Sequence, residues 1–361
     1  MATAPHVFRL SHSATPLAKL ATSPLYAEWM SNSLAPYPRR LRIVIPGGSG
    51  HVGHVLARFF QEQGHHVTVL TRSPYTANWQ TVHWDGEHAG PWVETLEGAD
   101  VCINLAGRSV NCRYHDENRR AIYHSRIATT RLLNHVIANL ERPPHVWLNA
   151  STATIYRHST DRPMDEFTGE LGGGEMISKF RRAPRTWDFS IGVAKDWEAA
   201  FFARPTPRTR KVALRSAIVM SPVSSTAFAI FSNLVRMSLG GRQGNGRQYV
   251  SWVHETDFSL AVDFIICHNE IDGPVNIAAP HPLPNKDFMR ELRDAWGVPN
   301  GLPAPRPLLA VAAMLMRTET ELVLKSRRVF PARLLEAGFQ FQFPTWLEAA
   351  EDLVGKWKAR E

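Results

Sequence analysis

The chain is predicted to be an α/β protein, a doubly wound parallel sheet with a smaller C-terminal substrate lobe. Three observations carry that prediction. Residues 41–70 read as a strand, a glycine turn, a helix and a second strand; apolar strands and helices keep alternating as far as Met220; and after Pro222 the pattern turns less regular.

Leu41-Arg42-Ile43-Val44-Ile45 is a short apolar strand. An apolar-periodic segment from Val52 to Gln63 follows its glycine turn, Gly64 ends that helix, and His66 to Leu70 is the next strand. Val101 to Ala106 reads as a buried strand, Asp116 to Leu140 as a long helix, and Val146 to Ser151 and Val212 to Met220 as further strands with a helix from about Asp188 to Ala203 between them. Beyond Pro222, Gly240 to Gln248 is a glycine-rich basic loop, Tyr249 to Val253 and Pro274 to Ala278 are strands, residues 285–297 and 306–316 are helices, and a final helix follows Pro344. The expected division is an N-terminal extension (1–40), a Rossmann domain (41–222) whose sheet is completed from 249–279, and a lobe over 223–361. Residues 1–40 hold one acidic residue, Glu28, among many Ser, Ala and Pro. They read either as an extension with a short helix near Leu17 to Met30 on a cytoplasmic protein, or as an organelle transit peptide.

The 361 residues are enough for a substantial core. Leu308 to Met316 is the richest apolar stretch and falls short of the roughly 20 residues that cross a bilayer, so no membrane span is expected. A net charge of +8 would suit nucleic acid, but the basic residues are scattered and the densest cluster, Lys179, Arg181, Arg182 and Arg185, is brief, so no nucleic-acid partner is expected. Cys102, Cys112 and Cys267 form no C-x-x-C, and His254-Glu255 opens like a zinc-helix motif only to meet Phe258 where the second histidine belongs. No metal is expected.

Gly47-Gly48-Ser49-Gly50-His51-Val52-Gly53 is the strongest motif. Glycine allows the tight turn after a strand and lets the backbone approach a pyrophosphate, while amides at the following helix N-terminus favour the anion. The complete β-α-β setting is what makes this pattern specific. At the end of the second strand, where an acid would hold the 2′-hydroxyl of NAD, stands Thr71-Arg72-Ser73. An arginine there suits the extra phosphate of NADP(H); the plain alternative is an exposed loop arginine.

Asn104-Leu105-Ala106-Gly107 matches an N-x-A-G motif of short-chain dehydrogenases, and together with Gly47 to Gly53 it resembles the NAD-dependent epimerase/dehydratase superfamily. Further stretches narrow this: Ser125-Arg126 with Thr129-Thr130, Asp196-Trp197-Glu198, Gly240-Gly241-Arg242 with Gly246-Arg247-Gln248, Ser251-Trp252-Val253-His254, Gly273-Pro274-Val275-Asn276, and Arg328-Val329-Phe330-Pro331 with Leu334 to Phe339. Over about residues 41–354 the chain resembles the "epimerase family protein" subgroup, atypical extended short-chain reductases with a C-terminal domain of unknown function, some of whose members carry a cell-division-inhibitor name. The resemblance implies NADP(H) contacts at Gly47, Ser49, Gly50, His51, Val52, Gly53, Thr71, Arg72, Ser73, Leu105, Ala106, Gly107, Arg126 and Val219, and a homodimer through sheet-side helices. Arg126 reads equally as a packing arginine.

Ordinary members use a tyrosine as general acid/base with a lysine four residues later. Counting back from Glu198 puts Ala194 at the lysine position and Ser190 at the tyrosine position, and neither does that proton chemistry. Lys195 lies about 100° around the helix from the lysine position. Thr152 and then Ser151 are the candidates for the hydroxyl that orients a substrate, or else they cap the strand. Tyr156 reads as a replacement acid or as a buried aromatic. Arg242 and Arg247 suit an anionic substrate or a plain surface turn. Two functions follow: an NADP(H)-dependent oxidoreductase or epimerase acting on an unknown small molecule, or a cofactor-binding regulatory or scaffold protein.

Overall fold

In the computed structural model, which describes residues 39–174, 176–178, 181–224, 226–305, 307–309, 319 and 321–361, the chain after Arg40 is organised around a seven-stranded sheet. Its first third runs β1 (Arg42–Pro46), α1 (His51–Glu62), β2 (His66–Thr71), β3 (Gln80–His83), β4 (Val101–Asn104), α2 (Asp116–Asn139) and β5 (Val146–Thr152). A short hairpin follows, β6 (Met176–Ser178) and β7 (Arg181–Arg182), then α3 (Arg185–Phe202), β8 (Arg210–Ser216), β9 (Ile218–Met220) and α4 (Ala227–Arg236). The remainder is β10 (Tyr249–Val250), β11 (Trp252–His254), α5 (Glu255–Cys267), β12 (Gly273–Ile277), β13 (Leu283–Pro284), α6 (Asn285–Trp296), α7 (Glu321–Leu324), α8 (Ala332–Glu336) and α9 (Trp346–Lys358).

The sheet order is β12-β8-β5-β4-β1-β2-β3, every pairing parallel. β1 is buried from Ile43 to Pro46, as a central strand covered on both faces must be. From β1 the chain passes outward through α1 to β2, and β4 returns on β1's other side. That reversal opens a crevice at the C-terminal ends of β1 and β4, the usual ligand position in a doubly wound sheet.

The strand expected over Val212–Met220 breaks at Ala217. β8 pairs with β5 and β12, whereas β9 leaves the main sheet and pairs with β11, while the Ala217 amide donates to Ile277 O. Tyr249–Val253 is likewise interrupted, at Ser251, whose hydroxyl donates to Arg327 O and accepts from Val329 N. Among the described residues four helices, α4, α5, α7 and α8, stand where none was expected. α5 buries Phe258, Ala261, Val262, Ile265 and Ile266 on one stripe but also carries Leu260 and Phe264 off it, so apolar residues surround the helix and blur its period. α4 starts at Thr226, whose side chain accepts from Ala229 N, and buries Phe228, Phe231 and Val235 at helical spacing, a signal the sequence reading passed over. β3, with only partly buried residues, carries too weak a signal to read. Of the helix expected over 306–316 only 307–309 are described, as helix; the rest, and the expected features of residues 1–38, lie outside the described residues.

Leu41–Glu361 makes one compact unit by itself. One core under the sheet gathers Val44, Leu70, Leu133, Trp147 and Phe201. A second gathers Met220, Phe228, Trp252, Phe288 and Trp346, with Phe288 and Trp346 stacked at 4.1 Å and the Trp346 indole donating to Phe288 O. Residues 326–330 then run back along 159–164, with Ser159 N donating to Ser326 O, Met164 N to Arg328 O and Phe330 N to Met164 O. No described helix is long and apolar enough to cross a membrane.

Candidate functional site

The turn after β1 excludes a side chain at two of its glycines, Gly47 and Gly53. Gly47 has φ of 74°, and a Cβ there would lie 2.5 Å from Ala106 Cα; a Cβ on Gly53 would lie 2.3 Å from Gly48 O. Gly50 caps α1 with no side-chain hydrogen bond, and the first turn of α1 holds no acid. The α1 N-terminus is therefore electropositive and uncapped, and a Cβ on Gly50 would meet nothing nearer than Gly47 O at 3.9 Å. The loop facing this turn is fixed by Asn104, whose Oδ1 accepts from Ala106 N and whose Nδ2 donates to Asn149 Oδ1.

A cavity of about 430 Å³ opens from the turn. His51 and Val52 line it from α1, with Leu105 and Gly107 beside them after β4. Ser151, Thr152 and Thr154 come from the end of β5, Val219 from β9, and Phe189, Ser190, Ala194 and Trp197 from α3. Glu321 and Arg327 face them from the last quarter of the chain. His51 Nε2 is buried without a hydrogen-bond partner, and burial holds the imidazole below its ordinary pKa, a neutral group at the cavity's edge. Arg126 also lines the wall: it donates to Arg108 O and Ile122 O and lies 5.1 Å over the Trp197 ring, with burial lowering its pKa to about 10. It thus packs the wall behind Gly107 and presents a cation to the cavity.

Other expected residues sit elsewhere. Ser49 is exposed on the turn, and Thr71, Arg72 and Ser73 lie at the end of β2 outside the cavity walls. Arg72 is exposed, and Thr71 is buried with its hydroxyl on Ser73. Thr152 accepts from Thr154 N and faces the cavity. Ser151 reaches the wall but spends its hydroxyl proton on Glu198 Oε1 at 2.5 Å. Glu198 is clamped by Arg215 at 2.7 Å, and Arg215 donates to the Tyr156 hydroxyl, which donates to Asn276 Oδ1. The single helical turn over Ala153–Ile155 carries Tyr156 away into this buried network, where burial pushes its pKa up to about 12, so the structure does not bring Tyr156 to the cavity. Nor does it bring the 240–248 loop there. Gly241, Gly244, Leu302 and Ala304 knit that loop to 301–304 by backbone hydrogen bonds, and Arg242 and Arg247 point outward from it. His254 is a cap: its Nδ1 accepts from Thr256 N, so Nε2 holds the proton and donates to Asp352.

The sequence reading missed the far wall. Ser190 Oγ, at the position of the missing tyrosine, donates to Glu321 Oε2 at 2.7 Å across 131 residues of chain. Arg327 Nε donates to Thr154 Oγ1, and Lys325 Nζ donates to Thr154 O at 2.7 Å. No linear spacing announces these pairings. Among the described residues no group of three or more His, Cys, Asp or Glu is placed to hold a metal ion.

The NAD dependent epimerase/dehydratase family matches residues 43–175, and a domain of unknown function (DUF1731) matches residues 304–353. The epimerase family protein SERP0438 of Staphylococcus epidermidis is 30% identical over 315 residues, covering 87% of this chain and 99% of that one. The epimerase family protein SDR39U1 of Homo sapiens is 28% identical over 318 residues, 87% of this chain and 100% of that one. The crystal structure of human SDR39U1 (isoform 2) with NADPH superposes with a TM-score of 0.75 at 26% identity, covering 87% of this chain and 99% of that chain. UDP-N-acetylglucosamine 4-epimerase from Bacillus cereus (TM-score 0.66, 15% identity, 88% of this chain and 96% of that one) shares the fold alone. With the glycine turn, the seven-stranded parallel sheet and both matched segments in place, the chain belongs to the epimerase family proteins, extended short-chain dehydrogenase/reductase relatives with a DUF1731 C-terminal domain.

Proposed function

We propose that this protein is an NADP(H)-dependent oxidoreductase or epimerase acting on a small molecule, and that it works without the usual tyrosine and lysine. The observation that carries this reading is continuity: the uncapped α1 N-terminus opens into a cavity whose far wall bears Thr152, Ser190 and Glu321. The cavity runs on past its cofactor-side residues to these polar groups, which a scaffold that only held the dinucleotide would not need.

The residues fit a dinucleotide. Gly50 leaves room for a pyrophosphate, and the first-turn amides of α1 supply donors to it. Leu105 and Gly107 form the opposite lip, with Ala106 packed against Gly47 behind them; Val219 and Leu214 give an apolar rest, and Arg126 adds a cation. Arg72, with no carboxylate at the end of β2, favours a 2′-phosphate, and the human relative was solved with NADPH. Bound there, the nicotinamide supplies or accepts a hydride. Thr152 orients a substrate oxygen by hydrogen bonding, Phe189 and Trp197 exclude water, and Ala194 brings no cation to the lysine position on α3.

Fluorescence titration with NADPH and NADH tests the reading. Tighter NADPH binding is expected; equal or tighter NADH binding overturns the preference, and failure of both to bind overturns the reading itself.

A further inference from the structure

We infer that Glu321 is the proton reservoir of the site and that Ser190 hands its proton to the substrate oxygen, the two together replacing the missing tyrosine. This rests on the proposed function and names the groups that do its proton chemistry.

The geometry is specific. Glu321 is 1% exposed yet lines the cavity, and Ser190 joins it there from α3 at 2.7 Å. Its second oxygen, Oε1, is buried without a hydrogen-bond partner, with Arg327 Nη2 at 3.6 Å. A carboxyl with one oxygen on a cavity hydroxyl and the other unbonded is poised to lose or gain a proton through that hydroxyl. Its setting favours a held proton. Burial pushes its pKa up and outweighs the opposing Arg327, Lys325 and Ser190 hydrogen bond, with Glu319 adding a smaller upward push. Tyr114 faces the same group, but its own pKa is pushed up to about 12, by burial first and then by Glu321, so it keeps its proton while Glu321 exchanges one. Arg327 and Lys325 are themselves fastened to Thr154, which keeps both cations near the carboxylate that forms.

The step balances. In the reducing direction the substrate carbonyl carbon receives the hydride of the reduced dinucleotide, and the carbonyl oxygen takes the Ser190 hydroxyl proton as its π pair becomes an O–H bond. For this the Ser190 hydroxyl turns from Glu321 to the substrate oxygen, and the protonated Oε2 donates to Ser190 Oγ in its place. Ser190 then recovers that proton, the Oε2–H bond breaks, and Glu321 is left as a carboxylate beside Arg327. Water reprotonates it after product leaves. Oxidation runs the same transfers backwards.

Infrared difference spectra of the full chain test this, with NADPH as probe and adenosine 2′,5′-bisphosphate as a control that fills only the adenosine end. The wild type should show a protonated-carboxyl band at neutral pH that is absent in Glu321→Gln. The band should move when hydrogen bonding is lost in Ser190→Ala and when NADPH binds, but not with the bisphosphate. If Glu321→Gln fails to fold, the shift in Ser190→Ala assigns the band. On a carbonyl probe that the wild type reduces, Glu321→Gln should lose about 10²–10⁴-fold in kcat with KM nearly unchanged. An ionised Glu321 at neutral pH, or an acid band that NADPH leaves in place, overturns the inference while NADPH binding stands. If NADPH does not bind at all, the proposed function falls first.

Discussion

Arg215 joins Glu198, and through it Ser151, to Tyr156 in a buried chain that ends on Asn276. Its side chain and that of Glu198 are only 8% and 11% exposed, so the pair's worth lies in never being separated. Arg215→Met should cost about 3–5 kcal/mol, because it leaves the Glu198 carboxylate buried with a single serine donor; urea unfolding measures it. Arg72 sits at the opposite extreme, exposed at the end of β2. Arg72→Asp should leave the unfolding midpoint in place and weaken NADPH by about 1.5–3 kcal/mol with NADH little affected, as calorimetric titration of both dinucleotides would read. Residue by residue, the sequence distinguishes such roles only where chemistry is local. At Arg72 the sequence shows directly that no acid stands at the end of β2, and the structure places that arginine in the open. Tyr156 was open to two readings because the network that claims it comes from β8 and β12.

At the scale of elements, the turn before α1 separates fold from ligand. Gly53→Ala would force a Cβ to 2.3 Å from Gly48 O, so it should destabilise the fold by about 1–3 kcal/mol and abolish dinucleotide binding with it. Gly50 has φ of −77° and open space, so Gly50→Ala should hold or slightly raise the melting temperature while weakening NADPH, the added methyl intruding only on the bound anion. A parallel melt and titration of the two variants checks this. The β1-α1-β2 unit was readable because its determinants lie within thirty residues. α5 was not, since an all-round apolar helix shows no period, and the wall formed by Ser190 with Glu321 was not, since its partners meet only in the finished fold.

Over the whole molecule, three acids, Asp257 and Glu321 buried and Glu166 half-buried, tie distant segments together. Glu166 accepts from Asn276 N and Ala332 N, Asp257 accepts from Gln342 N and Phe343 N, and Glu321 accepts from Ser190. Burial raises the pKa of each in the folded state. The native chain therefore holds more protons than the unfolded one between the ordinary carboxylate value and the raised one, and these groups lose stability as pH rises through that window. For Glu321 the window opens at the ordinary value of 4.5, and the unfolding free energy of Glu321→Gln should fall less steeply above it than that of the wild type. The strip that carries Glu321 has one more consequence, which concerns time. β1 and β2 pair across 24 positions, while Ser326 meets Ser159 across 167. In a chain emerging from synthesis the strands around the glycine turn are thus at hand early, whereas the wall that Glu321 builds with Ser190 closes only when nearly the whole chain is out.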